Sequence, residues 1–443
     1  MIGSDAIRRI TDRVLSASPA DQTEVVVIAG AEQLTRFANN EIHQHVSETN
    51  AQIRIRAVIG QQIGVAVTNE PAEDSLQRAL EAAVEIAMHQ PPNPDFTSLP
   101  RPQPITPVEG WSQITAACTP QRRADDVATI IRLAEAQGLI AAGAYSTTTR
   151  ELAVANSLGV WAYHPGTYAQ ISTVVMGEAS GWAAATSRDS DEIDAEAIGR
   201  EACDKAIRSR NPQPLAPGIY PVVLEPYAVA EMMAYLNMIG FGALALQEGR
   251  SPLEIGAQQA ASLVTIYDDG SDPTGLPLPF DYEGVPKQPV QLIKKGISTG
   301  VVYDTQTAAK DHTRSTGHAL AAPNSFGPLA LNLFLKPGGT PKAALIKGIE
   351  RGVYVTRFHY VNIVHPKQSL LTGMTRDGTF LIENGEIAGP IHNLRFTQSV
   401  LEALRGVQDI SRETVLDRDF TGASCRAPAL KIGAFNFSSA TEF

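Results

Sequence analysis

The feature that most constrains this chain is an internal repeat. Residues 38–68, ANNEIHQHVSETNAQIRIRAVIGQQIGVAVT, match 155–186, ANSLGVWAYHPGTYAQISTVVMGEASGWAAAT. Asn39, Ala51 and Gly64 are spaced 12 and 13 apart, Asn156, Ala169 and Gly181 are spaced 13 and 12, and both sets span 25 positions. Within each copy, runs such as Ile53, Ile55, Ala57 and Ile59, or Ile171, Thr173 and Val175, alternate with the period of two that half-buried strands require. Each copy leads into a helical segment, 71–90 and 191–210. A duplicated unit of helix, antiparallel strands and helix is therefore expected, of α+β class.

At 443 residues the chain exceeds one ordinary core, and two domains are expected. Two proline-rich stretches, 90–107 and 210–221, read as exposed connections, because proline ends helices and removes backbone donors. The second is the main boundary, giving an N-terminal domain over 1–212, with repeats at about 1–90 and 115–210, and a C-terminal domain over 213–443. In the latter, Asn384-Gly385 lies between apolar runs and signals a hairpin. Segments 341–354 and 396–407 are expected as short helices ending at glycines, with strands near 329–335, 353–363 and 369–374. The C-terminal half is predicted to be mostly antiparallel sheet.

A formal charge of -11 disfavours a nucleic-acid surface, which needs clustered Lys and Arg. The first residues form an amphipathic helix (Ile7, Ile10, Val14, Leu15) with Ser4 or Asp5 expected as its cap, and lack the apolar core of a signal peptide. No run is long enough to span a bilayer. Three distant cysteines, Cys118, Cys203 and Cys425, imply no disulfide framework and suggest a reducing cytoplasm.

Residues that carry chemistry are sparse. His43-Gln44-His45 places two imidazoles on one strand face, and His359 and His365 flank another strand; both pairs also fit plain strand positions. The loop 311–320, DHTRSTGHAL, gathers Asp311, His312, Arg314 and His318. Cys425 beside Arg426 has a neighbour that favours a thiolate, but one neighbour does not make a nucleophile, and a buried inert cysteine is the preferred reading. Nucleophile-elbow, phosphate-loop and EF-hand patterns are absent, and YDDGSDP (267–273) reads as a solvated turn.

The blocks TIYDDGSDP, FDYEGVPKQPVQLIKKGISTGVVYDTQTA, STGHAL, LKPGGTPKAALIKGIERGVYV, GMTRDGTFLIENGEIAGPIHNLRFTQSVLEAL and APALKIGAFNFS resemble, in order and spacing, those of the TldD/PmbA family, and RFANNEIHQ resembles its early strand motif. The resemblance covers nearly the whole chain. It implies a two-domain α+β fold and a pair of related subunits, a zinc-bearing TldD type and a PmbA or TldE type, acting on unfolded or short peptides in maturation or degradation. The family label "modulator of DNA gyrase" sits poorly with an acidic chain. In the TldD branch, the helix after Leu-Glu-Pro carries His-Glu, three residues and His, with a C-terminal cysteine completing the zinc site. Here that helix, LEPYAVAEMMAYLNMIGF (224–241), has Glu231 and no histidine, and none occurs between His164 and His312. The resemblance thus implies a PmbA/TldE-type subunit with no catalytic residue, metal or cofactor of its own, partnered by a TldD-like zinc subunit in a heterodimer that takes peptide substrates, with no direct nucleic-acid or membrane partner. Val229, Met232, Met233, Leu236 and Ile239 make the helix structural. Tyr227, Glu231 and Tyr235, with His312 and His318, are the candidates for lining a substrate groove. Two alternatives stay open: an autonomous homodimeric scaffold, and a divergent hydrolase using loop 311–318 or Cys425.

Overall fold

A computed structural model describes residues 1–419 and 421–441. The first unit is built on one six-stranded antiparallel sheet. Helix α1 (Ser4–Ala17), strands β1 (Gln22–Ala38), β2 (Glu41–Ile59) and β3 (Gln62–Thr68), and helix α2 (Glu73–His89) form one copy. After a one-turn helix α3 (Gln113–Ala116), helix α4 (Pro120–Glu135), strands β4 (Ile140–Asn156), β5 (Trp161–Met176) and β6 (Ser180–Ser187), and helix α5 (Ala195–Arg208) form the other. The strand order β3-β2-β1-β4-β5-β6 places β1 against β4 at the centre, so the copies are related about that pair.

The repeated glycines have a packing reason. A Cβ on Gly64 would lie 2.0 Å from the Ala83 carbonyl oxygen and 2.4 Å from the Ala87 nitrogen of α2; one on Gly181 would lie 2.1 Å from the Ala202 oxygen and 2.4 Å from the Ala206 nitrogen of α5. Each helix thus lies directly on its sheet over a glycine. Two apolar cores follow: Val25, Val27, Ile53, Ile55, Leu76 and Leu80 in the first copy, and Ile130, Tyr145, Ile171, Val175, Ile198 and Ala202 in the second. Helix α1 is not capped by Ser4 or Asp5. Gly3 occupies the cap, and the buried Glu151 carboxylate accepts from the Ile2 and Gly3 amides at 2.6 and 2.9 Å, a charged acceptor where the helix dipole favours one.

The second unit is an eleven-stranded mixed sheet. Its strands are β7 (Gly218–Leu224), β8 (Ile266–Asp268), β9 (Val290–Lys294), β10 (Ile297–Ser298), β11 (Asn332–Leu335), β12 (Arg351–His365), β13 (Leu370–Glu383), β14 (Glu386–Pro390), β15 (Leu394–Ser399), β16 (Val407–Arg418) and β17 (Ser424–Ala440). Most pairs are antiparallel, but β7 runs parallel to β12, and β11 to β17. Asn384 (φ 52) and Gly385 (φ 79) form the expected hairpin turn. Two expected helices are corrected. Segment 341–354 makes only a 3-10 turn at Lys342–Ala344 before β12 begins, and 396–399 extends β15, leaving a helix only over Val400–Arg405. At 351–354 and 396–399 sheet pairing outweighs helical propensity, and 345–350 runs as turns from the 3-10 turn to β12. The proline-rich stretch 90–107 is not wholly exposed: Phe96 and Leu99 are buried against Val58. Among the described residues, no helix is long and apolar enough to cross a membrane.

Candidate functional site

Strand β7 ends at Leu224, and Pro226 at the first helical position starts helix α6 (Pro226–Leu236). The helix is apolar nearly all round: Ala228, Val229, Met232, Met233 and Leu236 are buried in the main core with strands of the second unit, as expected of a helix sunk in a protein interior. A single π turn, Asn237–Phe241, follows it. Tyr227, Glu231 and Tyr235, four apart, share its remaining face.

That face meets both units. The Tyr227 hydroxyl donates to the Ala184 carbonyl of β6 at 3.0 Å, and its ring meets Trp182 edge-on with centroids 4.7 Å apart. Tyr227 is therefore covered by β6 and does not open onto a groove. Tyr235 donates to the Val361 carbonyl of β12 at 2.6 Å. Between them, burial pushes the Glu231 carboxyl up to about 7, with Asp417 of β16 adding to the rise and Arg357 opposing it. Arg357 is itself engaged: its Nε donates to Asp377 at 2.7 Å, the Asp377 carboxylate also accepts from Ser180 of β6 at 2.5 Å, and the guanidinium lies 4.8 Å from the Trp182 ring centre.

At the start of α6, Lys205 of α5 reaches Glu225 at 2.7 Å and Glu201 at 2.6 Å, and Tyr354 donates to the other Glu225 oxygen at 2.6 Å. Burial alone would raise the Glu225 carboxyl, but the Lys205 and Lys342 ammoniums and the two bonds hold it below the usual range. The residues of this cluster carry no motif. Their one local signal is the i,i+4 pair Glu201 and Lys205 on the amphipathic α5.

The other candidates lie apart from this face. His318 is fully buried, its Nε2 2.8 Å from Asp268 and its Nδ1 2.9 Å from the Thr316 hydroxyl, with Lys287 also 3.6 Å from Asp268. The turn 267–273 is thus not merely solvated, since its first acid anchors a buried charge cluster. His312 is exposed with φ 53, just past a short helix (Thr305–Lys310). Cys425 is buried in β17 opposite Asp417. Its thiol is pushed far up, first by burial and then by Asp417 and Asp419, so Arg426 does not make a thiolate; that guanidinium donates instead to the Thr274 carbonyl at 2.7 Å. His43 and His45 are exposed, and His45 lies 3.0 Å from the Thr35 hydroxyl. Strand irregularities between His359 and His365 break their spacing.

The resemblance to the TldD branch implies a zinc ion at α6, and these residues do not fit one. The helix offers a single carboxylate, whose burial opposes ionisation, and metal ligands must be deprotonated. Among the described residues, no group of three or more His, Cys, Asp or Glu could hold a metal ion.

Comparison with known proteins gives the same outline. Residues 23–87, 115–210 and 217–439 match, in turn, PmbA/TldA metallopeptidase domain 1, the central domain and the C-terminal domain. A metalloprotease of Methanothermobacter thermautotrophicus is 28% identical over 52% of this chain and 51% of its own length, so the chain spans about half of that relative. The metalloprotease PmbA homolog of Haemophilus influenzae is 24% identical over 88% of each chain. The crystal structure of TldE from Thermococcus kodakarensis superposes with a TM-score of 0.88 at 23% identity, covering 98% of this chain and 99% of that one. The last likeness is one of fold.

Proposed function

Because the chain belongs to the TldD/PmbA metallopeptidase family, we propose that it is a metal-free subunit of the TldE or PmbA type, which pairs with a TldD-type zinc subunit and helps enclose a chamber that admits unfolded or short peptides. One observation carries this reading. The helix that would supply His-Glu-x-x-x-His is sunk in the core and holds Glu231 alone. A lone buried carboxyl on an apolar helix supplies neither the set of ligands that zinc needs nor a metal-bound water on which to act. The chain would then contribute wall and backbone contacts, with sheet edges available to an extended peptide.

Coexpression with a His-Glu-x-x-x-His paralogue tests the proposal. A single size-exclusion peak holding both chains, with chelator-sensitive peptidase activity and zinc in the partner alone, is the expected result. Chelator-sensitive hydrolysis by this chain in isolation would end it.

A further inference from the structure

A cavity of about 400 Å³ opens between the two sheets, within the range of small-molecule sites. Its lining combines three arginines, Arg54 of β2, Arg150 of β4 and Arg418 of β16, with apolar Ile28, Leu152, Leu278 and Leu331, and among the described residues includes no Asp or Glu. Concentrating positive charge in a recess of a protein whose formal charge is -11 calls for a ligand that supplies the missing sign.

The guanidiniums are only partly used. Arg54 donates to Gln52 at 2.9 Å and to the Ala322 carbonyl at 3.0 Å, both neutral acceptors. Arg150 donates to the Tyr282 hydroxyl, while its Nε is buried with no partner among the described residues. Arg418 lies 4.6 Å from the centre of the Tyr168 ring. None of the three forms an ion pair with a described carboxylate. The acid that Arg418 influences, Asp419, spends its Oδ1 on the Thr421 amide and hydroxyl, at 2.7 and 2.5 Å. On the same wall, Asn332 is 2% exposed and its Oδ1 also has no partner among the described residues. Planar guanidiniums with free donors match the geometry of carboxylate and phosphate oxygens, and an orphaned amide oxygen suits a donor on the same ligand.

We infer that this cavity is an oxyanion-binding site, taking a carboxylate or phosphate carried on a small apolar body. The apolar walls hold the body, and the arginines of both units clamp the charge, so that occupancy ties the two sheets together.

Isothermal titration of the full chain alone, with no partner subunit and no activity readout, tests this separately from the pairing proposed above. The probes are N-acetyl-Leu-Leu as the free acid, the same compound as its amide, and phenyl phosphate. Binding of the acid and not the amide, weakened about tenfold or more in Arg150→Gln and in Arg418→Gln, is the expected result, since a bond to a charged group is worth about 1.5–3 kcal/mol. Binding of phenyl phosphate alone, with the same loss, supports the site and assigns its source as a phosphate. Because the Arg418 guanidinium makes a stacking contact and no side-chain hydrogen bond among the described residues, Arg418→Gln keeps the test valid where Arg150→Gln fails to fold. Equal binding of acid and amide, unchanged affinity in a folded variant, or no binding of any probe at millimolar concentration overturns the inference.

Discussion

The Lys205 ammonium lies 2.7 Å from the Glu225 carboxylate, joining the last helix of the first unit to the start of α6 in the second. Both side chains are buried, at 8% and 4% exposure. Breaking one half of such a pair strands the other charge and costs about 3–5 kcal/mol, whereas neutralising both costs much less. Because Glu225 keeps the Tyr354 hydroxyl at 2.6 Å and Lys342 at 3.6 Å, Lys205→Met is expected to lower urea-unfolding stability by the lower end of that range, about 3 kcal/mol, and Lys205→Met with Glu225→Gln to recover most of it. Equal losses in the single and double variants would show that the pair is not coupled.

The glycine contacts make a second prediction, independent of charge. A Cβ at Gly64 or Gly181 strikes a helix backbone at 2.0 or 2.1 Å, where no side chain can turn aside. Gly64→Ala and Gly181→Ala should each cost about 1–3 kcal/mol, the range for overpacking, and the losses should add because the two helices lie over different strands. A neutral or stabilising effect in thermal melts would contradict the packing.

Glu231 predicts a pH dependence. Its folded pKa is raised to about 7 by burial foremost, so its contribution to stability is whole below the unfolded value and is lost as pH rises through about 7. Glu231→Gln removes the ionisation. The variant should therefore gain about 1–3 kcal/mol over the parent at pH 8 and nothing at pH 4. Glu24, raised to about 7, and Asp281, raised to about 8, keep some of the same slope in both proteins, so the difference between the two curves is the quantity to measure.

The thiols should be silent in the native chain. Cys118, Cys203 and Cys425 are all buried and unpaired, and burial leads the upward shift of each. Since the thiolate is the reactive form, iodoacetamide at pH 8 should add no mass to the folded protein and three adducts in denaturant. Native labelling at Cys425 would revive a nucleophilic role for it.

Much of the fold was legible because it follows from periodicity and turn chemistry. The alternation around Ile53 and Ile171 gives the strands, and Asn384-Gly385 gives a turn that only positive φ allows. The repeat was readable through Gly64 and Gly181, whose spacing reflects helix contact rather than chance. Positions 351–354 and 396–399 are not legible in this way, because their helical character is local and their sheet partners are remote in sequence. The site was legible chiefly as a deficit, the missing histidines of α6. Lys205, Arg357 and Asp417 reach that helix from three other elements, and a pairing made only in three dimensions leaves no mark on one sequence.

The buried cluster at Asp268 yields a ranking. Asp268 is fully buried and receives three contacts: His318 at 2.8 Å, the Asn332 amide at 2.6 Å and Lys287 at 3.6 Å. Burial would raise this carboxyl, but Lys287 first and then His318 hold it well below the usual carboxylate range. Its stabilising share is therefore present at neutral pH and fades as pH falls below the unfolded value of about 4. Lys287 is 2% exposed, and its Nζ has no hydrogen-bond partner among the described residues. It depends on Asp268 by charge alone. Asp268→Asn would leave that cation uncompensated at a cost of about 3–5 kcal/mol. Lys287→Met would leave Asp268 still bonded to His318 and the Asn332 amide, and should cost distinctly less. Urea unfolding at pH 7 decides between the two: if Lys287→Met is the more damaging change, Asp268 is not the centre on which this cluster rests.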